Sequence, residues 1–277
     1  MKLLSFIRPS GKKSAGIVTE QGIIDLGLHL GEAYHCLKQV LALDEAILQT
    51  LAKQQPEDYS LAAVTFLPVI EQPNKIICVG MNYQQKRQEF AQTQTAPTLF
   101  IRFADSQTAH QGPLQKPACS EQFDYEGELA IIIGRAGYQI SEAQAMEHIA
   151  GYSCYMDGSV RDWQYSWYTA GKNWPKTGAF GPWLVTRTQI SDPQQLLIKT
   201  YLNGQQVQHE STSQMIYSVA QLIAYISQFT ALSVGDVILT GSPGGVGKAR
   251  VPPLYLQPND VVEVDIEQIG RLVNYVM

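Results

Sequence analysis

The stretch Asp124-Tyr125-Glu126-Gly127-Glu128-Leu129-Ala130-Ile131-Ile132-Ile133-Gly134 decides how this chain is read. Two glutamates stand two residues apart and lead into an apolar, β-branched run. The run has the length and composition of a buried strand. Side chains at i and i+2 share one face of a strand, so both carboxylates stand together at the mouth of a hydrophobic sheet. Two like charges buried side by side are costly unless a cation offsets them. Oxygen ligands suit a hard divalent metal such as Mg²⁺, Mn²⁺ or Ca²⁺. The plainer alternative is a solvated strand end with two surface acids.

Composition narrows the classes. A chain of 277 residues can build a large core, as one domain or as a catalytic domain with a small appendage. Its 45% hydrophobic and 16% charged residues are those of an ordinary globular protein. A net charge of -5 argues against nucleic acid or an anionic membrane as the main partner, and leaves room for a small anionic substrate. Cys36, Cys78, Cys119 and Cys154 lie far apart without a CxxC pair, which suits free thiols in a reducing cytoplasm. No stretch approaches the roughly 18 apolar residues of a membrane span, and Leu3 to Ile7 is too short for a signal-peptide core.

Residues 1–70 read as a small leading α+β domain: strands at Leu3–Ile7 and Ala15–Val18, then a helix over 33–53. Residues 71–277 read as the main domain, opening on the strand Lys75–Gly80. The polar segment 84–96 is a short helix or a loop. A strand at Leu99–Phe103 follows, and Ser141 is placed to cap a helix running to about Ile149. Asn203-Gly204 marks a hairpin between Leu196–Tyr201 and Gln205–Gln208. Met215, Val219, Leu222 and Ile226 share a face of a helix over 213–228. Strands at Asp236–Thr240, Val261–Ile266 and Leu272–Val276 complete the pattern. Strands outnumber helices without regular alternation, which favours a β-rich α+β fold.

Asp157, in Met156-Asp157-Gly158-Ser159-Val160-Arg161, offers a third carboxylate to the Glu126/Glu128 pair, against the commoner role of a turn aspartate. Three carboxylates on an octahedral cation leave positions for water and substrate. Lys172 would stabilise negative charge developing on a substrate oxygen; a surface lysine is the bland alternative. Thr240-Gly241-Ser242-Pro243-Gly244-Gly245-Val246-Gly247-Lys248 imitates a phosphate loop but fails its pattern, because Ala249 stands where Ser or Thr belongs. It reads as a tight loop whose backbone approaches a small ligand. Among the five histidines, His110 stands out only for following the strand that ends at Phe103.

Taken in order, these segments resemble the fumarylacetoacetate hydrolase family. The matching residues are Val79-Gly80-Met81-Asn82-Tyr83, Pro97–Phe100, Asp124–Glu128, Asp157–Gln164, Gly171-Lys172, Gly181–Trp183, Leu232–Asp236, Thr240–Gly247 and Pro258–Val262. The resemblance spans residues 75–277. It implies a mixed β-sandwich roll, usually a homodimer, with a Mg²⁺ or Mn²⁺ site. By position, Glu126, Glu128 and Asp157 match the metal ligands. Tyr83, Arg161, Gln164, Lys172 and Thr240 match substrate and oxyanion contacts. The family acts on 2-oxo acids and 1,3-diketones by C–C hydrolysis, decarboxylation, hydration or isomerisation.

Two departures matter. Family hydrolases carry Asn-Tyr-x-x-His-x-x-Glu, whose His and Glu activate water. Here Glu89 is kept and Lys86 replaces the histidine. A lysine, with an ordinary pKa of about 10.4, is a poor base unless desolvated. Glu89 alone, Lys86 with altered basicity, or His110 from its loop are the three candidate replacements. The second departure is Arg102 where lysine is common; a guanidinium there suits bidentate binding of a distal substrate carboxylate. The leading expectation is metal-dependent C–C hydrolysis of an acylpyruvate-like 2-oxo acid. Isomerisation or decarboxylation of an unsaturated 2-oxo diacid is the first alternative, and a non-catalytic binding scaffold the second.

Overall fold

The computed structural model describes residues 1–93 and 95–277. Its centre is the run Ala130–Ile133, fully buried on both faces of the strand Gly127–Ile133. Burying one such isoleucine is worth roughly 1.5–3 kcal/mol. Odd-numbered Leu129, Ile131 and Ile133 pack with Ile198, Val264 and Leu272 of a second sheet and with Leu222 and Ile226 of a helix. Even-numbered Ala130 and Ile132 pack on the opposite side with Leu3, Val40, Phe100 and Tyr155. A strand covered on both faces reads as a continuous apolar run.

The large sheet runs in the order Ile23–Asp25, Lys13–Val18, Lys2–Ile7, Gly178–Thr186, Ile149–Asp157, Gly127–Ile133, Val237–Leu239, Ile76–Gly80, Thr98–Arg102. The leading segment therefore enters this sheet, with Leu3 opposite Leu184. A second sheet is built from Gln205–Ser211, Leu197–Leu202, Val261–Ile266, Gly270–Val276 and Pro113–Leu114. Its hairpin turns at Asn203 and Gly204, both at positive φ (51° and 78°), as a type I′ turn requires. The fold is the expected β-rich α+β arrangement.

Helix boundaries differ from the sequence expectation where side chains cap early. The stretch 33–53 is broken: Leu37–Val40 ends, and Asp44 starts Glu45–Gln54 by accepting the Ala46 N–H at 2.9 Å. The helix placed at 213–228 begins at Val219, because Ser218 and Gln221 form a reciprocal cap. Met215 stays extended and bridges to Tyr83. Ser141 donates to the Gln144 side chain, and its helix covers only Glu142–Ala145 before a 3₁₀ turn. In the polar segment 84–96, Gln84–Glu89 is helical and Gln94 lies outside the described residues. No helix among the described residues is long and apolar enough to cross a membrane.

Candidate active site and metal centre

Glu126 immediately precedes the strand Gly127–Ile133, Glu128 is its second residue, and Asp157 ends the neighbouring strand. Antiparallel register sets Gly127 against Met156, and the Asp157 N–H donates to the Glu126 carbonyl at 2.8 Å. One oxygen from each of Glu126, Glu128 and Asp157 lies within 4.8 Å of the others. All three side chains are buried, so the strand end is not a solvated one.

Four cations enclose these acids. Lys86, from the helix Gln84–Glu89, donates to Glu126 Oε1 at 2.5 Å and to the Ser242 hydroxyl. Arg161 donates to the same Glu126 oxygen at 2.7 Å, to Asp124 Oδ2 at 2.8 Å and to Gln164 Oε1 at 3.2 Å. Lys172 bonds Glu126 Oε2 at 2.6 Å and Asp157 Oδ2, with its charge 5.1 Å from the Phe100 ring centre. Arg102 reaches Asp157 Oδ1 at 2.6 Å.

The balance is uneven across the three acids. Burial alone would raise the Glu126 carboxyl, but Arg161, Lys172 and Lys86 outweigh it and hold the group well below the usual range. Burial pushes Glu128 well above that range, and the charges of Asp157 and Glu126 add to the rise. Glu128 has no cationic side-chain partner among the described residues; one oxygen accepts the Gly241 N–H at 2.9 Å. Gly241 sits at φ 97°, and a Cβ there would come within 2.8 Å of the Val79 carbonyl. Only glycine brings that N–H to Glu128.

The other expected residues divide. Lys86, Arg161 and Lys172 line the acidic cavity. Gln164 lines the cleft outside it, and its Nε2 is buried without a hydrogen-bond partner. Arg102 lines neither the acidic cavity nor the outer cleft. It is 2% exposed, and its N–H groups bind Asp157, the Gly158 carbonyl, Ser106 and Thr177. Its guanidinium holds Asp157 Oδ1 from below the site. Glu89 is exposed and accepts the Gly245 N–H at 2.8 Å, tying its helix to the glycine-rich loop. Thr240 is buried with its hydroxyl on the Leu129 carbonyl at 3.0 Å. Tyr83 is buried with an unpaired hydroxyl and does not line the cavity. His110 lies elsewhere, packed edge-on against Phe66, with Nδ1 accepting the Val273 N–H at 3.1 Å. Burial pushes its imidazole down to about 4.

Three contributors escaped the sequence reading. Asp124 accepts from Arg161, Gly247 and Lys248, so one carboxylate fixes both a site cation and the glycine-rich loop. Its position two before Glu126 was the available signal, because it extends the same alternation. Ser242 anchors Lys86, and Asn82 holds the Thr240 carbonyl at 2.9 Å. These last two pairings join residues about 160 positions apart, which no local pattern encodes.

The acidic cavity has a volume of about 20 Å³, room for roughly one water. Met81, Phe100, Arg161 and Tyr168 line both it and an outer cleft of about 480 Å³, so the two adjoin. The donor set fits a hard divalent cation. It supplies oxygen only, and Glu128 is a buried carboxylate that lacks a cation. Glu126, Glu128 and Asp157 are the residues that would hold the ion.

The profile of the Fumarylacetoacetate (FAA) hydrolase C-terminal family matches residues 75–277. The human mitochondrial oxaloacetate tautomerase FAHD2A is 37% identical over 265 residues, 92% of this chain and 84% of the human one. The Xenopus laevis oxaloacetate tautomerase fahd2 is 36% identical over 290 residues, 100% of this chain and 90% of its own. The structure of a fumarylacetoacetate hydrolase from Exiguobacterium antarcticum superposes with a TM-score of 0.85 at 32% identity, covering 100% of this chain and 99% of that one. With its metal-ready carboxylates at the mouth of this sheet, the chain belongs to the fumarylacetoacetate hydrolase family of enzymes acting on oxo acids.

Proposed function

We infer that this chain interconverts the keto and enol forms of a 2-oxo dicarboxylic acid of the oxaloacetate class, in preference to C–C hydrolysis. One observation carries the choice. Where family hydrolases place a histidine, Lys86 is buried with its ammonium on Glu126 and Ser242, while Glu89 is engaged on Gly245. Lys86 is there as a donor on two acceptors and one Glu89 oxygen is held by the loop, so the two are not arranged as the water-activating His–Glu pair. Tautomerisation needs no water, only a proton moved between carbon and oxygen. The names of the human and Xenopus relatives point the same way.

A bound divalent ion, Mg²⁺ in the first instance, supplies Lewis-acid polarisation of the 2-oxo group. Lys172 keeps positive charge beside the oxygen that becomes negative. Lys86 has three N–H groups; two are used on Glu126 and Ser242, leaving one for the cavity it lines. In ketonisation it hands a proton to the carbon beside the carbonyl and takes back the proton that the enol oxygen releases, which restores the lysine. Charge supports a dianion. Asp124, Glu126, Glu128 and Asp157 are matched by Lys86, Arg102, Arg161 and Lys172, so a divalent ion leaves a double positive charge for a dicarboxylate to cancel.

The test follows loss of enol absorbance from oxaloacetate with Mg²⁺ or Mn²⁺, beside cleavage of acylpyruvates by the same preparation. Faster cleavage than tautomerisation would return the chain to the hydrolases, and CO₂ release would make it a decarboxylase. The homodimer belongs to the same reading. The edge strand Thr98–Arg102 presents exposed Ile101, with exposed Phe103 just beyond it, and sedimentation gives the state directly.

A further inference from the structure

A dicarboxylate substrate brings a second carboxylate that the metal ligands and Lys172 do not address. Arg102, which the sequence offered for it, is sealed beneath Asp157. The outer cleft adjoins the acidic cavity and shares Met81, Phe100, Arg161 and Tyr168 with it; among the described residues two cations line it, Arg161 and Lys248. Arg161 already bonds Asp124, Gln164 and Glu126, and two carboxylates offset its charge. Lys248 differs. Its backbone N–H is fixed on Asp124 Oδ2 at 3.0 Å, and the adjacent Gly247 N–H on Asp124 Oδ1 at 2.7 Å. Its side chain is exposed and has no ion-pair partner among the described residues. Among the described residues no aspartate or glutamate lines the cleft.

We propose that Lys248 is the specificity-determining residue that binds the carboxylate remote from the 2-oxo group, making this site selective for 2-oxo dicarboxylates over 2-oxo monocarboxylates. Asp124 sets the geometry, since one carboxylate holds both Arg161 at the cavity and the Lys248 backbone at the cleft. Reach is therefore fixed at the Cα, and the flexible stem carries the ammonium to the ligand. Gln164 supplies a neighbouring donor. Arg161 holds its Oε1, which leaves Nε2 as a buried N–H without an acceptor on the wall of the same cleft. An unpaired buried donor is costly, and a substrate carboxylate satisfies it. The inference rests on the tautomerase reading, and the experiment separates the two.

Wild type, Lys248→Met and Lys248→Arg are titrated calorimetrically with 3,3-difluoro-oxaloacetate in the presence of Mn²⁺. That ligand keeps both carboxylates but has no proton at C3, so binding is measured without turnover. Oxalate, which lacks a remote carboxylate, is the comparator. Lys248→Met weakens the difluoro ligand about tenfold, the scale of one solvent-exposed charge-assisted contact. Lys248→Arg restores it to within about threefold, and oxalate moves less than about twofold. In turnover, KM for oxaloacetate rises about tenfold while kcat changes little, and the preference for oxaloacetate over its 4-ethyl ester shrinks by the same factor. The salt dependence of dicarboxylate binding weakens in Lys248→Met alone. Equal binding of the difluoro ligand by wild type and Lys248→Met overturns the assignment and leaves the tautomerase reading standing. A wild type that neither binds the difluoro ligand nor tautomerises oxaloacetate overturns both.

Discussion

Arg102 Nη1 lies 2.6 Å from Asp157 Oδ1, and neither side chain has any solvent exposure. The pair is a buried support for a metal ligand, 55 residues apart in sequence. Arg102→Met leaves Asp157 without its guanidinium in a low-dielectric site. Breaking a buried pair on one side costs about 3–5 kcal/mol. Urea denaturation should report a loss on that scale, and Mn²⁺ affinity should fall because Asp157 is no longer aimed. An unchanged Mn²⁺ affinity would show that Arg102 does not position the ligand.

Glu128 gives the cleanest metal test. As the carboxylate without a cation, it gains most from a divalent ion. Glu128→Gln keeps shape and removes the charge, so calorimetric binding of Mg²⁺ or Mn²⁺ should drop at least 100-fold. Stability without metal should hold or rise, because a costly buried charge is gone. Full-strength metal binding by this variant would rule out the three-carboxylate centre.

Lys86→His restores the residue that family hydrolases carry, three positions before Glu89. Tautomerisation of oxaloacetate should fall by about 10²-fold or more, the scale of a lost proton-transfer group. Acylpyruvate cleavage should rise above the wild-type level. If tautomerisation survives the replacement unchanged, Lys86 is not the proton donor.

Glu89 separates a structural from a catalytic role. It is exposed, and its carboxylate accepts the Gly245 N–H. Glu89→Gln keeps an acceptor for that N–H and should leave tautomerisation within about threefold of wild type. A 100-fold loss would make Glu89 the base.

His110 sets an acid limb of stability. Its Nδ1 accepts a backbone N–H, and its folded pKa, near 4, lies below the unfolded value of about 6.5. The unfolded chain therefore takes a proton that the folded chain refuses. His110 contributes no penalty above pH 6.5, and stability is lost as pH falls from there toward 4. His110→Gln should flatten this limb, by at most one proton in the slope of unfolding free energy against pH. A slope unchanged between pH 4.5 and 6.5 would refute it.

The sequence by itself determined the sheet centre and the grouping of acids. Ala130–Ile133 reads as a buried strand, and on a strand a two-residue spacing puts Glu126 and Glu128 on one face, because strand geometry is local. Lys172 and Arg161 were legible beside Asp157 in the same ordered motifs. Tertiary structure decided what each cation and carboxylate does. Arg102 turned inward to Asp157, Glu89 turned to Gly245, and His110 settled against Phe66. Asp124 became the tie between Arg161 and Lys248. Each choice depends on which groups meet once segments between 37 and 156 residues apart are packed together. In a buried site every charge must find a partner, and partners are fixed by packing rather than by spacing along the chain.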